Sequence, residues 1–374
     1  MRKLIARIVT KGINGLFDAF KIKIEDKFLL ESFPSFDDQI LSIAIELQKR
    51  KLSFEVVGNP RHLPTVWKEL FPRLTIFNKR SLRYIWSVKT SKYILFTHGS
   101  SLGEIRRGNQ FVVNLWHGFP IKRVGIGKQF ALPKSDIYVS FPGEFSKVNG
   151  HESHLQGSRQ VLETGLPRID IARLGKKILA VNSERQESYL WLPTFRNITK
   201  GMKGRDGNVG ETGFALTHKQ IKHFDNYLGQ AKSKVKIKSH PLTDICLPAG
   251  LENISILQSF DFSLYFELTQ WRGVITDYSS IIIDCLYLNI PVFVLAPDLE
   301  RYEHTRGLNI DIEKDLGLIV NRTIEELEDS LRSGRWRNWK FNFQKPVHSN
   351  ENDRSISSSI VSYMTGQKCY KGFD

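Results

Sequence analysis

The stretch GVITDYSSIIIDCLYLNIPVFVLA, Gly273–Ala296, carries the plainest fold signal in the sequence. Gly273 to Thr276 is a short apolar run with β-branched side chains, and Asp277 to Ser280 is a polar turn. A mostly apolar run of helical length covers Ser280 to Asn289, and Pro291 to Ala296 reads as a second strand. Strand, helix and strand in that order predict a parallel βαβ unit.

The rhythm extends in both directions. Ser188 to Leu192 and Val235 to Ser239 read as strands, and Thr323 to Ser333 as a helix. Upstream, Lys27 to Leu30, Ser53 to Val57, Tyr93 to Thr97 and Gln110 to Leu115 read as strands around an amphipathic helix over Asp37 to Lys49. At 374 residues the chain is about 2.5 times the ~150-residue prior for one domain. Two α/β domains with parallel sheets are expected, over 21–175 and 176–374, the second carrying a C-terminal helix, with the boundary near Asp170 to Val181.

Composition removes other classes. Hydrophobic residues at 41% and charged residues at 25% exclude a chain that is disordered, collagen-like or coiled-coil as a whole. Cys246, Cys285 and Cys369 show no CxxC spacing, so neither a disulfide framework nor a cysteine zinc site is expected, and a reducing compartment fits. The net charge, 54 − 39 = +15, calls for an anionic partner: nucleic acid, an acidic membrane surface or a phosphorylated substrate. The basic residues are dispersed and no nucleic-acid-binding motif appears, so nucleic acid is not the expected partner.

No apolar run approaches the roughly 18 residues of a membrane span, and Met1 to Phe20 lacks a signal-peptide core and cleavage site. Residues 1–20 instead place Leu4, Ile5, Ile8, Ile13, Leu16 and Phe17 at helical spacing, with Arg2, Lys3, Arg7 and Lys11 on the polar side. That pattern fits an in-plane membrane helix and equally an ordinary surface helix. Thr199 to Gly213 has five glycines and reads as a mobile loop, either a substrate lid or an idle insertion.

Ligands of open parallel sheets bind beyond the carboxyl ends of the strands, which singles out four places. His117 follows the strand Gln110 to Leu115 directly, with Gly118, Pro120, Lys122 and Arg123 behind it. An imidazole there is suited to take a proton from a hydroxyl, with cations beside it to attract phosphate; the plainer reading is a hydrogen-bonded strand-end histidine. His240-Pro241 repeats the arrangement in the other half, and neither histidine has further ligands at zinc-site spacing. Asp277, Ser279 and Ser280 precede a helix, where free N–H groups and hydroxyls fit a diphosphate, although N-capping alone needs no ligand. Glu300 and Arg306 follow the last strand; a carboxylate holds hydroxyls and a guanidinium grips phosphate, and a solvated loop is the plain alternative. Neither GxGxxG nor GxxxxGK[ST] is present, so dinucleotide and Walker-type sites are unsupported. No carboxylate cluster resembles a two-metal site, while Asp277 with Asp284 leaves a role for Mg²⁺ open.

Taken in order, Trp116-His117-Gly118-Phe-Pro120-Ile-Lys122, Gly165-Leu-Pro167-Arg168-Ile-Asp170, Leu192-Pro193-Thr194-Phe-Arg196, His240-Pro241, Thr276-Asp277-Tyr278-Ser279-Ser280 and Asp298-Leu-Glu300-Arg-Tyr302 to Arg306-Gly307 form a set. This set resembles that of the CDP-glycerol glycerophosphotransferase family, the teichoic-acid primases and polymerases with their capsule-polymer relatives. The resemblance runs from about Asp26 to about Met364. Each motif is weak alone, and six in order are specific. Phe119 departs from the small residue usual after WHG, and the chain length is nearer that of the primases and compact capsule enzymes.

The resemblance implies a GT-B-like fold: two Rossmann-like domains with parallel sheets facing a central cleft. It implies His117 as general base on the acceptor hydroxyl and His240 as a contact to the transferred phosphate. Ser279 and Ser280 match diphosphate contacts, and Lys122, Arg123, Pro193, Thr194, Arg196, Asp277, Glu300 and Arg306 complete the expected donor site. The implied reaction transfers glycerol phosphate, or a related alditol phosphate, from CDP-glycerol or CDP-ribitol to a lipid-linked or growing polymer, releasing CMP. The expected setting is the bacterial cytoplasm, peripheral on the inner face of an anionic membrane that the basic surface would hold. The same-fold rival is a glycosyltransferase using a nucleotide sugar, because fold does not fix function.

Overall fold

The structure is a computed structural model, and it describes residues 12–98, 106–123, 134–142, 158–179, 183–194, 210–238, 245–337 and 355–366. Among these residues one sheet has seven strands: β1 (Glu25–Glu31), β2 (Phe54–Val57), β3 (Thr75–Phe77), β4 (Ser91–Phe96), β5 (Phe111–Asn114), β6 (Ser135–Ser140) and β7 (Ser158–Glu163). They lie in the order β3-β2-β1-β4-β5-β6-β7, every pairing parallel. The other sheet has six: β8 (Ser188–Leu192), β9 (Lys234–Ile237), β10 (Ile254–Ile256), β11 (Gly273–Thr276), β12 (Val292–Leu295) and β13 (Val320–Asn321). Their order is β10-β9-β8-β11-β12-β13, again all parallel. Both are Rossmann-like, the fold class expected. The order reverses between β1 and β4 in one sheet and between β8 and β11 in the other, and such a reversal opens a crevice beyond the strand ends.

The βαβ unit at Gly273–Ala296 forms as its pattern dictates. Strands β11 and β12 pair Val274 with Val292, Ile275 with Phe293 and Thr276 with Val294. The helix Ile281–Leu288 buries Ile281, Ile282, Ile283, Asp284 and Cys285, and it ends where Asn289 turns left-handed at φ 55°. In the first unit Asp37 is the N-cap of the helix Asp38–Lys49, its side chain accepting from the N–H groups of Gln39 and Ile40. Leu29, Val57, Phe77, Val88, Ile94, Phe96 and Val112 make one core cluster there.

The chain divides into two compact units, and the division differs from a single cut at 175/176. The described segment Gly118–Arg123 belongs with the second unit, and the helix Ile356–Thr365 belongs with the first. The cause of the latter is a set of polar ties. Asp170 accepts from Ser355 Oγ (2.8 Å) and from the N–H groups of Ile356 (3.1 Å) and Ser357 (2.8 Å), capping the C-terminal helix from outside. Arg50 donates to Ser358 Oγ (2.7 Å) and Ser362 Oγ (2.9 Å), and the Ser42 and Ser357 hydroxyls lie 2.6 Å apart. The expected N-terminal helix is present over 12–19, and residues 1–11 lie outside the described ones. Of the expected loop Thr199 to Gly213, only 210–213 are described, as part of a turn.

Candidate active site

In the first unit the site grows from the end of β5. Trp116 takes a left-handed backbone at φ 55°, a conformation unfavourable for an aromatic residue that its surroundings must enforce. Asn114 Oδ1 accepts from its N–H (2.9 Å), Gln39 Nε2 donates to its carbonyl, and its ring is buried against Tyr138. Arg168 Nη1 then holds the next carbonyl, that of His117, at 2.8 Å. The result is an exposed imidazole on an immobilised backbone. Its ring touches Trp116 (centroids 4.2 Å apart) and stacks on His98 (4.4 Å, 20° between planes).

His98 comes from the turn after β4, and Asp37 from the segment after β1, so both flank the switch point. Thr97 stands beside them: its Oγ1 is 3.0 Å from His98 Nδ1 and accepts from the Phe33 N–H (3.3 Å). Burial raises the Asp37 pKa from 3.8 to about 7 against the pull of its helix N–H groups, Thr97 and Arg168. Burial, with Arg168 nearby, lowers His98 to about 4, so its imidazole is neutral at pH 7.

In the second unit the switch point between β8 and β11 collects Pro193, Thr194 and the Asp277–Ser280 turn. Asp277 Oδ1 accepts from the N–H groups of Thr194 (2.9 Å) and Tyr278 (2.7 Å), tying the two strand ends together. Thr276 Oγ1 adds a bond to the Leu192 carbonyl at 2.7 Å. Ser279 Oγ accepts from the Ile281 N–H (3.4 Å), while Ser280 stands at the N-cap without a side-chain cap bond. Thr194 Oγ1 is buried with no hydrogen-bond partner among the described residues. Tyr278 stacks on Tyr302 (3.8 Å) and donates to Asp298 Oδ1 (3.0 Å), which locks this turn to the segment carrying Glu300 and Arg306.

Lys122 and Arg123 join the same cluster. Lys122 bridges Leu308, the Arg123 N–H donates to the Gly307 carbonyl (3.0 Å), and Asn309 bonds the carbonyls of Ile121 (2.8 Å) and Pro120 (2.9 Å). Gly307 is required: its φ is +80°, and a Cβ there would lie 2.7 Å from Arg123 Cδ. Lys122 and Arg123 thus lie against Leu308 and Gly307, directly after Arg306 at the end of the helix Leu299–Thr305, all within the second unit.

Residues 23–344 match the family model of CDP-Glycerol:Poly(glycerophosphate) glycerophosphotransferase. The chain belongs to that family. Like other members, it is a transferase of teichoic acid biosynthesis type. It is 23% identical over 311 residues to a teichoic acid poly(glycerol phosphate) polymerase of Bacillus spizizenii strain W23, covering 73% of this chain and 74% of the relative. A teichoic acid glycerol-phosphate primase of Staphylococcus aureus is 23% identical, covering 92% and 94%. The match to the polymerase of Bacillus subtilis strain 168 spans 36% of that longer protein. Among solved structures, the wall teichoic acid polymerase TagF after a CDPG soak has a TM-score of 0.68 at 17% identity, covering 98% of each chain, and shares the fold.

In this family member the structure brings Lys122, Arg123, Pro193, Thr194, Asp277, Ser279, Ser280, Glu300 and Arg306 into the second unit. His117 belongs to the first. Arg196 and His240 lie outside the described residues. Asp277 and Asp284 are each engaged, Asp284 by the Tyr265 hydroxyl at 2.7 Å, and among the described residues no group of three or more metal-binding side chains forms. Three features of this neighbourhood are not singled out by the sequence: His98, Asp37 as a buried titratable group, and Arg168 as the clamp on the His117 carbonyl. His98 was within reach, because it follows the strand Tyr93 to Thr97 as His117 follows its own. Phe119, the departure from the family pattern, is buried.

Proposed function

We propose that this chain transfers glycerol phosphate, or a related alditol phosphate, from a CDP-activated donor to a hydroxyl of a lipid-linked or growing teichoic-acid-like polymer. The acceptor oxygen attacks the donor's alditol-bearing phosphorus, the bond to the CMP phosphate breaks, and CMP leaves. His117 takes the hydroxyl proton. The observation that carries this reading is the exposed His117 imidazole at a strand's carboxyl end, on a backbone that Asn114 and Gln39 hold at Trp116 and Arg168 holds at the His117 carbonyl. The Asp277–Ser280 turn, the buried Thr194 Oγ1, which has no partner among the described residues, and the Lys122, Arg123 and Arg306 cations suit the donor's diphosphate and developing charge. His240 and Arg196 are assigned to the same phosphate.

The test is CMP release by purified protein offered CDP-glycerol or CDP-ribitol with a membrane extract as acceptor source. Acceptor-dependent CMP with phosphorus retained in the product supports phosphoalditol transfer; phosphorus-free transfer from a nucleotide sugar would replace it. His117→Ala is expected to lose about 10²–10⁴-fold in kcat with little change in donor affinity. A chelator arm reads whether Mg²⁺ takes part.

The enzyme is further assigned to the cytoplasmic face of an anionic membrane. No helix of the described residues is long and apolar enough to cross a bilayer. The first unit exposes Leu16, Phe20 (75%), Leu82 (85%), Ile85 and Trp86, with Phe17 against Trp86 at 5.5 Å joining the two helices that carry them. Exposed Lys21, Lys23, Lys79 and Arg80 occur in the same stretches, the mixture that binds acidic lipid surfaces. Binding to vesicles containing phosphatidylglycerol should weaken with salt and with Leu82→Ser/Trp86→Ser; indifference to both would reject membrane docking through this face.

A further inference from the structure

The motif set that marks the family passes over His98, yet this residue makes the closest ring contact parallel to His117. The planes are 20° apart at 4.4 Å, the geometry of a stacked pair. The ring is not idly placed. Thr97 Oγ1 holds Nδ1, the Phe33 ring meets His98 edge-on at 5.5 Å, and the whole group hangs from the switch point of the first sheet.

A base that takes a proton becomes an imidazolium, and the cation Arg168, bound to the His117 carbonyl, opposes a second positive charge nearby. The face of a neutral aromatic ring offsets that repulsion, because its negative quadrupole attracts a cation lying over it. A charged neighbour would do the opposite. Burial and Arg168 keep His98 neutral.

We propose that His98 is the positioning residue of this site: its ring face fixes the plane of His117 and stabilises the imidazolium that His117 becomes as the acceptor hydroxyl loses its proton. The inference rests on the reading of His117 as general base and adds a second histidine that acts only through the first.

The experiment compares His98→Phe, which keeps an aromatic face, with His98→Leu, which fills similar space without one. Turnover is read as CMP release from CDP-glycerol, and the His117 ring is titrated by NMR in the same proteins. His98→Phe should keep kcat within about threefold of the parent, and His98→Leu should lose about tenfold, with KM for CDP-glycerol and thermal midpoint alike in both. The His117 ring should titrate about one pH unit lower in His98→Leu than in His98→Phe. In a His117→Ala background, His98→Leu should cost nothing more. Equal kcat and equal titration in the Phe and Leu variants would overturn the inference and leave the base assignment standing. Full turnover in His117→Ala would overturn the base assignment itself, and the titration would still report whether the stack acts on His117.

Discussion

Asp277 shows how much one carboxylate holds in this protein. It binds two N–H groups from different strand ends and so fixes the spacing of the turn in which Ser279 and Ser280 stand. Asp277→Ala leaves both donors buried and unpaired, at a cost of about 1–3 kcal/mol for each. Chemical denaturation should show Asp277→Ala less stable by at least about 2 kcal/mol, with Asp277→Asn, which keeps one acceptor oxygen, clearly milder. Equal losses would mean that the carbonyl-type oxygen is not the anchor. Gly307 makes the complementary case, where the absence of a side chain lets Arg123 pass.

Among elements, the helix Asp38–Lys49 carries a pH signature at its start. Asp37 is an N-cap in a buried place, and its pKa is raised from 3.8 to about 7. The native state therefore keeps a proton that the unfolded chain releases, so stability is highest below about pH 4 on this account and falls as pH rises to about 7. Asn caps a helix as well as Asp and carries no charge. The thermal midpoint of Asp37→Asn should lack the fall that the parent shows across that window; an identical fall would place its source elsewhere.

For the whole molecule, the return of the C-terminal helix to the first unit means that its loss is felt far away in sequence. A chain ended after Lys345 removes Ile356, Ile360, Val361 and Met364 from contact with the first unit, along with the Ser358 and Ser362 partners of Arg50. Hydrogen exchange in the helix Asp38–Lys49 should then accelerate by about 10²-fold or more, with β8 to β13 unchanged. Uniform acceleration of both units would mean that the helix stabilises the molecule as a single cooperative block.

The sequence carries the parallel α/β class openly, because strands such as Ser188–Leu192 and Gly273–Thr276 are largely apolar runs that a sheet covered on both faces tolerates. It also placed Asp277, Ser279 and Ser280 after a strand end, because polar residues that follow apolar runs are visible without coordinates. It did not reveal β3, β10 and β13, which are two or three residues long, nor β6 and β7, whose SDIYVS and SRQVLE carry too few apolar residues to stand out although β6 is wholly buried. Tertiary contact alone set the C-terminal helix's partner, since Asp170 and Ser355 meet across 185 positions. It also decided that His98, Asp37 and Arg168 belong with His117. Strand order, which local pattern does not encode, sets β1, β4 and β5 side by side, and the chemistry follows from that adjacency.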